Sequence, residues 1–271
     1  MHALGTALGW LVYLASPSYR RRFKNNIGRA GYMRFLRKAI AESGKNVLEL
    51  PFIWCASPTK VLNTAQIENW NVVQNALDAQ RGIIFLTPHL GCFEIIAQAL
   101  ATRMPLTALY RPPRKEMLKP LIEGARRRTN LSLAPANLAG VRTLFKVIKK
   151  GGAIGLLPDQ VPQQGEGVWA DFFGKPAYTM TLSAKLQLMT GASILLTYAE
   201  RLPKGKGYII RFVPFEQDLG DSAIDQATAI NKSMEQLIAR CPSQYFWSYN
   251  RYKIPHGVNA TESSAESEIA P

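Results

Sequence analysis

The stretch Gly82-Ile-Ile-Phe-Leu-Thr-Pro-His-Leu-Gly-Cys-Phe-Glu94 decides how the rest of the chain is read. Ile83–Leu86 is a short, wholly apolar run of the kind that forms a strand buried on both faces. Thr87-Pro88 ends it, and Gly91 permits a tight turn. Phe93–Leu100 then carries a helical apolar pattern. On one continuous helix His89 and Glu94 would point about 140° apart, at 3.6 residues per turn. A strand–turn–helix break removes that obstacle and allows imidazole and carboxylate to meet. A carboxylate on one ring nitrogen fixes the tautomer and leaves the other nitrogen free to take a proton from a hydroxyl. For an isolated His-x4-Glu spacing, a packing histidine and a dipole-favoured glutamate are the commoner explanation. His2 is terminal and His256 lies close to the tail, which leaves His89 as the one well-placed candidate base of its type.

Outward from this unit, apolar runs alternate with helical patterns. Leu106–Tyr110, Leu131–Leu133, Ala153–Leu157, Ile194–Tyr198 and Tyr208–Val213 read as strands. Met117–Arg128, Val141–Lys149, Leu182–Met189 and Ile224–Ala239 read as helices. This alternation predicts an α/β fold, an α/β/α sandwich with a mostly parallel central sheet. In such sheets ligands bind beyond the carboxyl ends of the strands. Three runs end in polar residues: 83–86 in His89, 106–110 in Arg111, and 153–157 in Asp159 and Gln160. Parallel pairing would gather them on one rim. Arg126, Arg127 and Arg128, with Arg111, Arg114, Lys115 and Lys119, add positive charge suited to phosphates and carboxylates.

Lys and Arg number 33 against 19 Asp and Glu, a formal charge of +14. That balance points to a polyanionic partner: nucleic acid, an anionic bilayer or an acidic protein. No RNP-like motif, helix-turn-helix or zinc finger supports nucleic acid. Cys55, Cys92 and Cys241 are odd in number and widely spaced, so neither a disulfide framework nor a cysteine metal site is expected.

Ala3–Ala15 is almost all apolar or small, and Arg20, Arg21, Arg22 and Lys24 follow it. It falls short of the roughly 20 residues of a spanning helix and lacks the basic lead of a signal peptide. An interfacial helix with Trp10 and Tyr13 at headgroup depth fits, as does the end of a longer spanning helix. Either places the arginines on the cytoplasmic side; a buried core helix is the third alternative. Tyr32, Phe35 and Ala39 extend a cationic helical pattern over 17–45. The expected division is therefore 1–45 as a membrane-associated helical segment, 46–257 as the main domain, and 258–271 as a disordered, Ser/Ala/Glu-rich tail.

His89-Leu-Gly-Cys-Phe-Glu94 resembles the His-x4-Asp/Glu motif of the glycerolipid acyltransferase superfamily, in particular its lipid A branch of late lauroyl/myristoyl acyltransferases. Four segments extend the resemblance over nearly the whole chain: Tyr110-Arg-Pro112; Leu157-Pro-Asp-Gln160; Phe172-Phe-Gly174 followed by Thr179; and Gln244-Tyr-Phe-Trp247 with Tyr249-Asn-Arg-Tyr-Lys253. The last departs from the family's usual His-Arg-Arg-Phe-Lys-like run. The resemblance implies His89 and Glu94 as the catalytic pair, with Arg111, Arg126, Asp159 and Gln160 at the substrate. It implies an acyl thioester donor, most simply acyl carrier protein, a lipid A precursor as acceptor, no cofactor or metal, and residence on the cytoplasmic face of the inner membrane. The same chemistry would serve a lysophospholipid or another membrane lipid. Cys92 between His89 and Glu94 raises a rival, a cysteine acyl-enzyme. A basic protein that binds membrane or nucleic acid without catalysis is the remaining alternative.

Overall fold

The computed structural model describes residues 1–112, 117, 123–124 and 129–260. Its centre is a seven-stranded sheet built from β1 (Ala65–Glu68), β2 (Ile83–Leu86), β3 (Leu106–Tyr110), β4 (Leu131–Pro135), β5 (Ala153–Leu156), β8 (Ser193–Arg201) and β9 (Tyr208–Pro214). The order is β1-β9-β8-β2-β5-β3-β4. Every pairing is parallel except β8 with β9, which a short turn joins as an antiparallel pair. The remaining strands, β6 (Gly167–Phe172) and β7 (Lys175–Met180), form a separate hairpin.

β2 shows why the centre is buried on both faces. Ile84 and Leu86 join one apolar cluster, and Ile83 and Phe85 the other, as the period of two along a strand requires. The helices cover both faces: α1 (His2–Ala15), α2 (Pro17–Arg29), α3 (Leu36–Cys55), α4 (Pro58–Leu62), α5 (Trp70–Asp78), α6 (Phe93–Ala101), α7 (Leu138–Lys149), α8 (Leu182–Thr190) and α9 (Ala223–Arg240). Phe23, Ile27, Ile40, Leu144 and Ile230 pack on one side; Ile53, Val73 and Ile95 pack on the other.

The amino-terminal region differs from its sequence expectation. The cationic pattern over 17–45 is not one helix. It breaks between Ala30 and Phe35, where Gly31 takes φ 77° and a 3-10 turn follows. α3 then runs unbroken through position 45, where a segment boundary was expected. Among the described residues no helix is long and apolar enough to cross a membrane. α1 has 14 residues, about 21 Å at 1.5 Å per residue. Its small-residue face lies on α3: a Cβ on Gly9 or on Gly44 would overlap the backbone of the opposite helix. Gly5 and Tyr13 share that buried face, whereas Leu4, Leu11 and Leu14 remain exposed.

A buried ion cluster ties α3 to the sheet. Arg201, at the end of β8, meets Glu49 through both Nε and Nη2 and reaches Glu42 at 2.8 Å. Tyr208 donates to Glu49 at 3.1 Å, and Lys45 to Glu42 at 2.6 Å. Burial works against the Glu42 carboxylate, but Lys45 and Arg201 prevail and hold it below its usual range.

Candidate active site

Residues His89–Cys92 form the turn between β2 and α6, and neighbouring backbone clamps it on two sides. Cys92 N–H donates to Ala199 of β8 at 2.9 Å, and Gly91 N–H to Gln244 at 3.0 Å. Phe246 N–H donates back to the His89 carbonyl at 3.1 Å, and Leu90 bridges Tyr245. Gly91 has φ 60°, and a Cβ there would strike the Ala199 carbonyl, so a side chain is excluded on both counts. The Gln244 side chain completes the clamp. Its Oε1 accepts from Arg201 N–H at 2.8 Å while its Nε2 donates to the Arg201 carbonyl at 2.9 Å.

The imidazole is held from both ends. Parallel pairing sets Leu86 opposite Leu156, so His89 and Asp159 each lie three residues past that matched pair. One Asp159 oxygen accepts from His89 N–H at 2.8 Å, and the other meets Nδ1, also at 2.8 Å. Gln160 Nε2 lies 3.0 Å from His89 Nε2. Glu94 therefore does not supply the expected hydrogen bond to the ring. It sits in the first turn of α6 and accepts from Trp54 Nε1 at 3.3 Å. The matched register of β2 and β5 brings Asp159 to the ring, while Glu94 lines the same cavity from α6.

Asp159 is 2% exposed. Burial opposes its negative charge, but His89 opposite and the bonds from its ring and backbone outweigh that and keep the carboxyl below its usual range. An ionised Asp159 can only accept, so Nδ1 carries the proton and Nε2 presents its lone pair. The Gln160 amide nitrogen then donates to Nε2. The buried Tyr245 phenol is pushed well above its ordinary range, first by burial and then by the negative charge of Asp159.

His89, Glu94, Arg111 and Gln160 line one cavity of about 270 Å³. Phe93, Glu94, Ala97 and Gln98 line it from one face of α6, and Ala108, Leu131 and Leu133 from the sheet. Leu131 pairs with Leu106 at the start of β3, while Arg111 follows its end. The cavity thus descends from the rim over about 13 Å, at roughly 3.3 Å per residue. His89, Arg111 and Gln160 stand at the rim, the deeper sheet wall is apolar, and buried Gln98 faces the cavity from α6. Met180, from the hairpin β6–β7, lines it as well.

The structure thus brings His89, Glu94, Arg111, Asp159 and Gln160 together. Arg126, and with it Arg114, Lys115, Lys119, Arg127 and Arg128, lies outside the described residues, as does most of the expected helix Met117–Arg128 and the tail from Thr261. Cys92 is buried, and burial with Glu49 alongside pushes its thiol well above the ordinary range. It does not line the cavity, which removes the basis for a cysteine nucleophile. Among the described residues no three His, Cys, Asp or Glu side chains converge as a metal centre would need.

The positioning roles of the carboxyl-terminal segment were not read from sequence. Besides Gln244 and Tyr245, the Tyr249 hydroxyl accepts from Val161 N–H at 3.0 Å and fixes the chain just past Gln160. Arg251 is buried and donates to the Tyr178 carbonyl at 2.8 Å and to Thr179 at 2.7 Å, which holds the hairpin. The quoted motifs 244–247 and 249–253 were the available signal.

A rim histidine backed by a buried carboxylate, above an apolar cleft in an α/β sheet, is an arrangement suited to group transfer onto a hydroxyl. The family model for bacterial lipid A biosynthesis acyltransferases matches residues 3–254, and the chain belongs to that family. It is similar to the lipid A biosynthesis lauroyltransferase of Escherichia coli (strain K12), 26% identical over 79% of this chain and 71% of that one. The palmitoleoyltransferase of the same organism is 25% identical over 80% and 72%. A lipid A biosynthesis acyltransferase of Haemophilus influenzae is 24% identical over 65% and 55%. The chain is an acyltransferase of lipid A biosynthesis.

Proposed function

We propose that the protein moves a fatty acyl group from a thioester, carried by acyl carrier protein, to a hydroxyl on a lipid A precursor, with His89 as the general base. The observation that carries this reading is the Asp159–His89 contact at the mouth of the apolar cavity. With Nδ1–H directed at Asp159, Nε2 takes the proton of the acceptor hydroxyl as its oxygen attacks the thioester carbonyl. The C–S bond breaks, and the thiolate leaves with the proton returned from the imidazolium. Asp159 stabilises that imidazolium and keeps the ring oriented. Glu94 adds negative charge at the same mouth. Arg111 faces the same cavity and suits the phosphate of an acceptor or the oxyanion. The apolar lower part receives the acyl chain, at about 0.8 kcal/mol per methylene removed from water.

The excess of positive charge favours an acidic carrier protein and an anionic membrane surface. The exposed Leu4, Leu11 and Leu14 of α1, beside Arg20, Arg21, Arg22 and Lys24, support attachment to the cytoplasmic face of the inner membrane as an interfacial helix. The test of the chemistry is His89→Ala, assayed with acyl carrier protein thioester and lipid A precursor. Transfer should fall by about 10⁴-fold or more while the melting temperature holds. Turnover near that of the native protein would overturn the assignment.

A further inference from the structure

The lone pair on which the proposed chemistry depends is already occupied. Nε2 of His89 accepts from the Gln160 amide at 3.0 Å while Nδ1 is committed to Asp159. A nitrogen with its lone pair engaged cannot take a proton from anything else. Gln160 is also placed to leave and return. Its backbone lies between the buried Asp159 and Val161, whose N–H is held by Tyr249 at 3.0 Å. Its side chain lines the cavity and is only half-buried. Side-chain rotation alone uncovers Nε2, with the backbone fixed.

This matters because two nucleophiles compete for a thioester here. Either an acceptor hydroxyl or a water gives its proton to Nε2 and forms a C–O bond as the C–S bond breaks. The proton passes to the departing sulfur, and the products are an ester or a free fatty acid beside the thiol. A bare Nε2 in a cavity open to solvent would hold a water next to the carbonyl. We infer that Gln160 is a displaceable cap on the general base, which an acceptor hydroxyl removes on entry and which otherwise protects the thioester from hydrolysis. The inference rests on His89 acting as the base.

The test measures acyl thioester hydrolysis without acceptor and transfer with acceptor, in the native protein and in Gln160→Met, which keeps the length but lacks the donor. The ratio of hydrolysis to transfer should rise about fivefold, the worth of one net hydrogen bond. Gln160→Asn, whose amide is one methylene short of Nε2, should shift the ratio in the same direction and serves if the first variant does not fold. A ratio unchanged or lowered in a variant that melts like the native protein overturns the cap. The double variant His89→Ala/Gln160→Met separates the two readings. Loss of both reactions there supports the cap acting through His89. Hydrolysis that persists there means that the general-base reading, rather than the cap, has failed.

Discussion

Two buried charge clusters bracket the turn His89–Cys92, and they are put to different use. At its start, the Asp159 carboxylate meets the imidazole at 2.8 Å, and the ring's other nitrogen faces a cavity. At its end, Cys92 adjoins Glu49, whose carboxylate is taken up by Arg201 and Tyr208. Both clusters hold buried carboxylates by hydrogen bonds from a neighbouring side chain. In the first, one ring nitrogen is held only by a side chain that can rotate away. In the second, the guanidinium is shared between two glutamates, and Tyr208 rather than Arg201 borders a separate cavity. The difference separates chemistry from architecture: a reactive site needs one exchangeable hydrogen bond, and a brace needs none.

The sharpest way to break the comparison is Asp159→Asn. The amide cannot stabilise an imidazolium and can select the wrong ring tautomer. We expect kcat to fall by about 10²–10⁴-fold, as in serine hydrolase triads, with KM nearly unchanged. A loss under threefold would mean that Asp159 only packs. Next comes Arg201→Met, which leaves Glu42 and Glu49 buried without their cation. Breaking such a pair costs about 3–5 kcal/mol, so the midpoint of urea unfolding should drop sharply. At low temperature, where the variant remains folded, kcat should stay within about threefold of native. A large kcat loss in the folded variant would show that the brace also sets the site's geometry.

A third effect follows from pH. Asp159 and Glu42 both have carboxyl groups held below their unfolded values. Their contribution to stability is complete above the unfolded carboxylate range, about 4, and is lost as pH falls through the depressed folded values. The melting temperature should therefore decline below about pH 4, with a shallower decline in Asp159→Asn and in Glu42→Gln. Identical slopes in all three proteins would remove electrostatic linkage as the cause.

How far the sequence could lead depended on the range of the interactions. β2, β3 and β5 were legible because each is a continuous apolar run, and their polar ends did gather on one rim. The bond of His89 to Asp159 was not legible, because Glu94 is near in sequence whereas Asp159 is 70 residues away. Only the adjacency of β2 and β5 puts it there, and strand order is not written in any one segment. β1 was missed as a four-residue edge strand of mixed polarity. The hairpin β6–β7 was missed because its turn takes positive φ at Phe173 as well as at Gly174, a conformation few would assign to phenylalanine. The break in the 17–45 pattern was visible in Gly31 but outweighed by the regular spacing around it.

The smallest expected effect tests the boundary between the two clusters. Cys92 lies between the proposed base and Glu94 in sequence, yet its side chain belongs to the sealed side, 1% exposed and next to Glu49. Cys92→Ala removes a buried sulfur, which should lower stability by about 1 kcal/mol. It should leave kcat within about twofold, because no proton or acyl group passes through the thiol. Its high thiol pKa argues the same way, since the thiolate is the nucleophilic form. A covalent acyl-enzyme would show the opposite balance, with unchanged stability and no turnover. That result would move the chemistry from the open side of the turn to the closed one, and would require the brace to open during each reaction cycle.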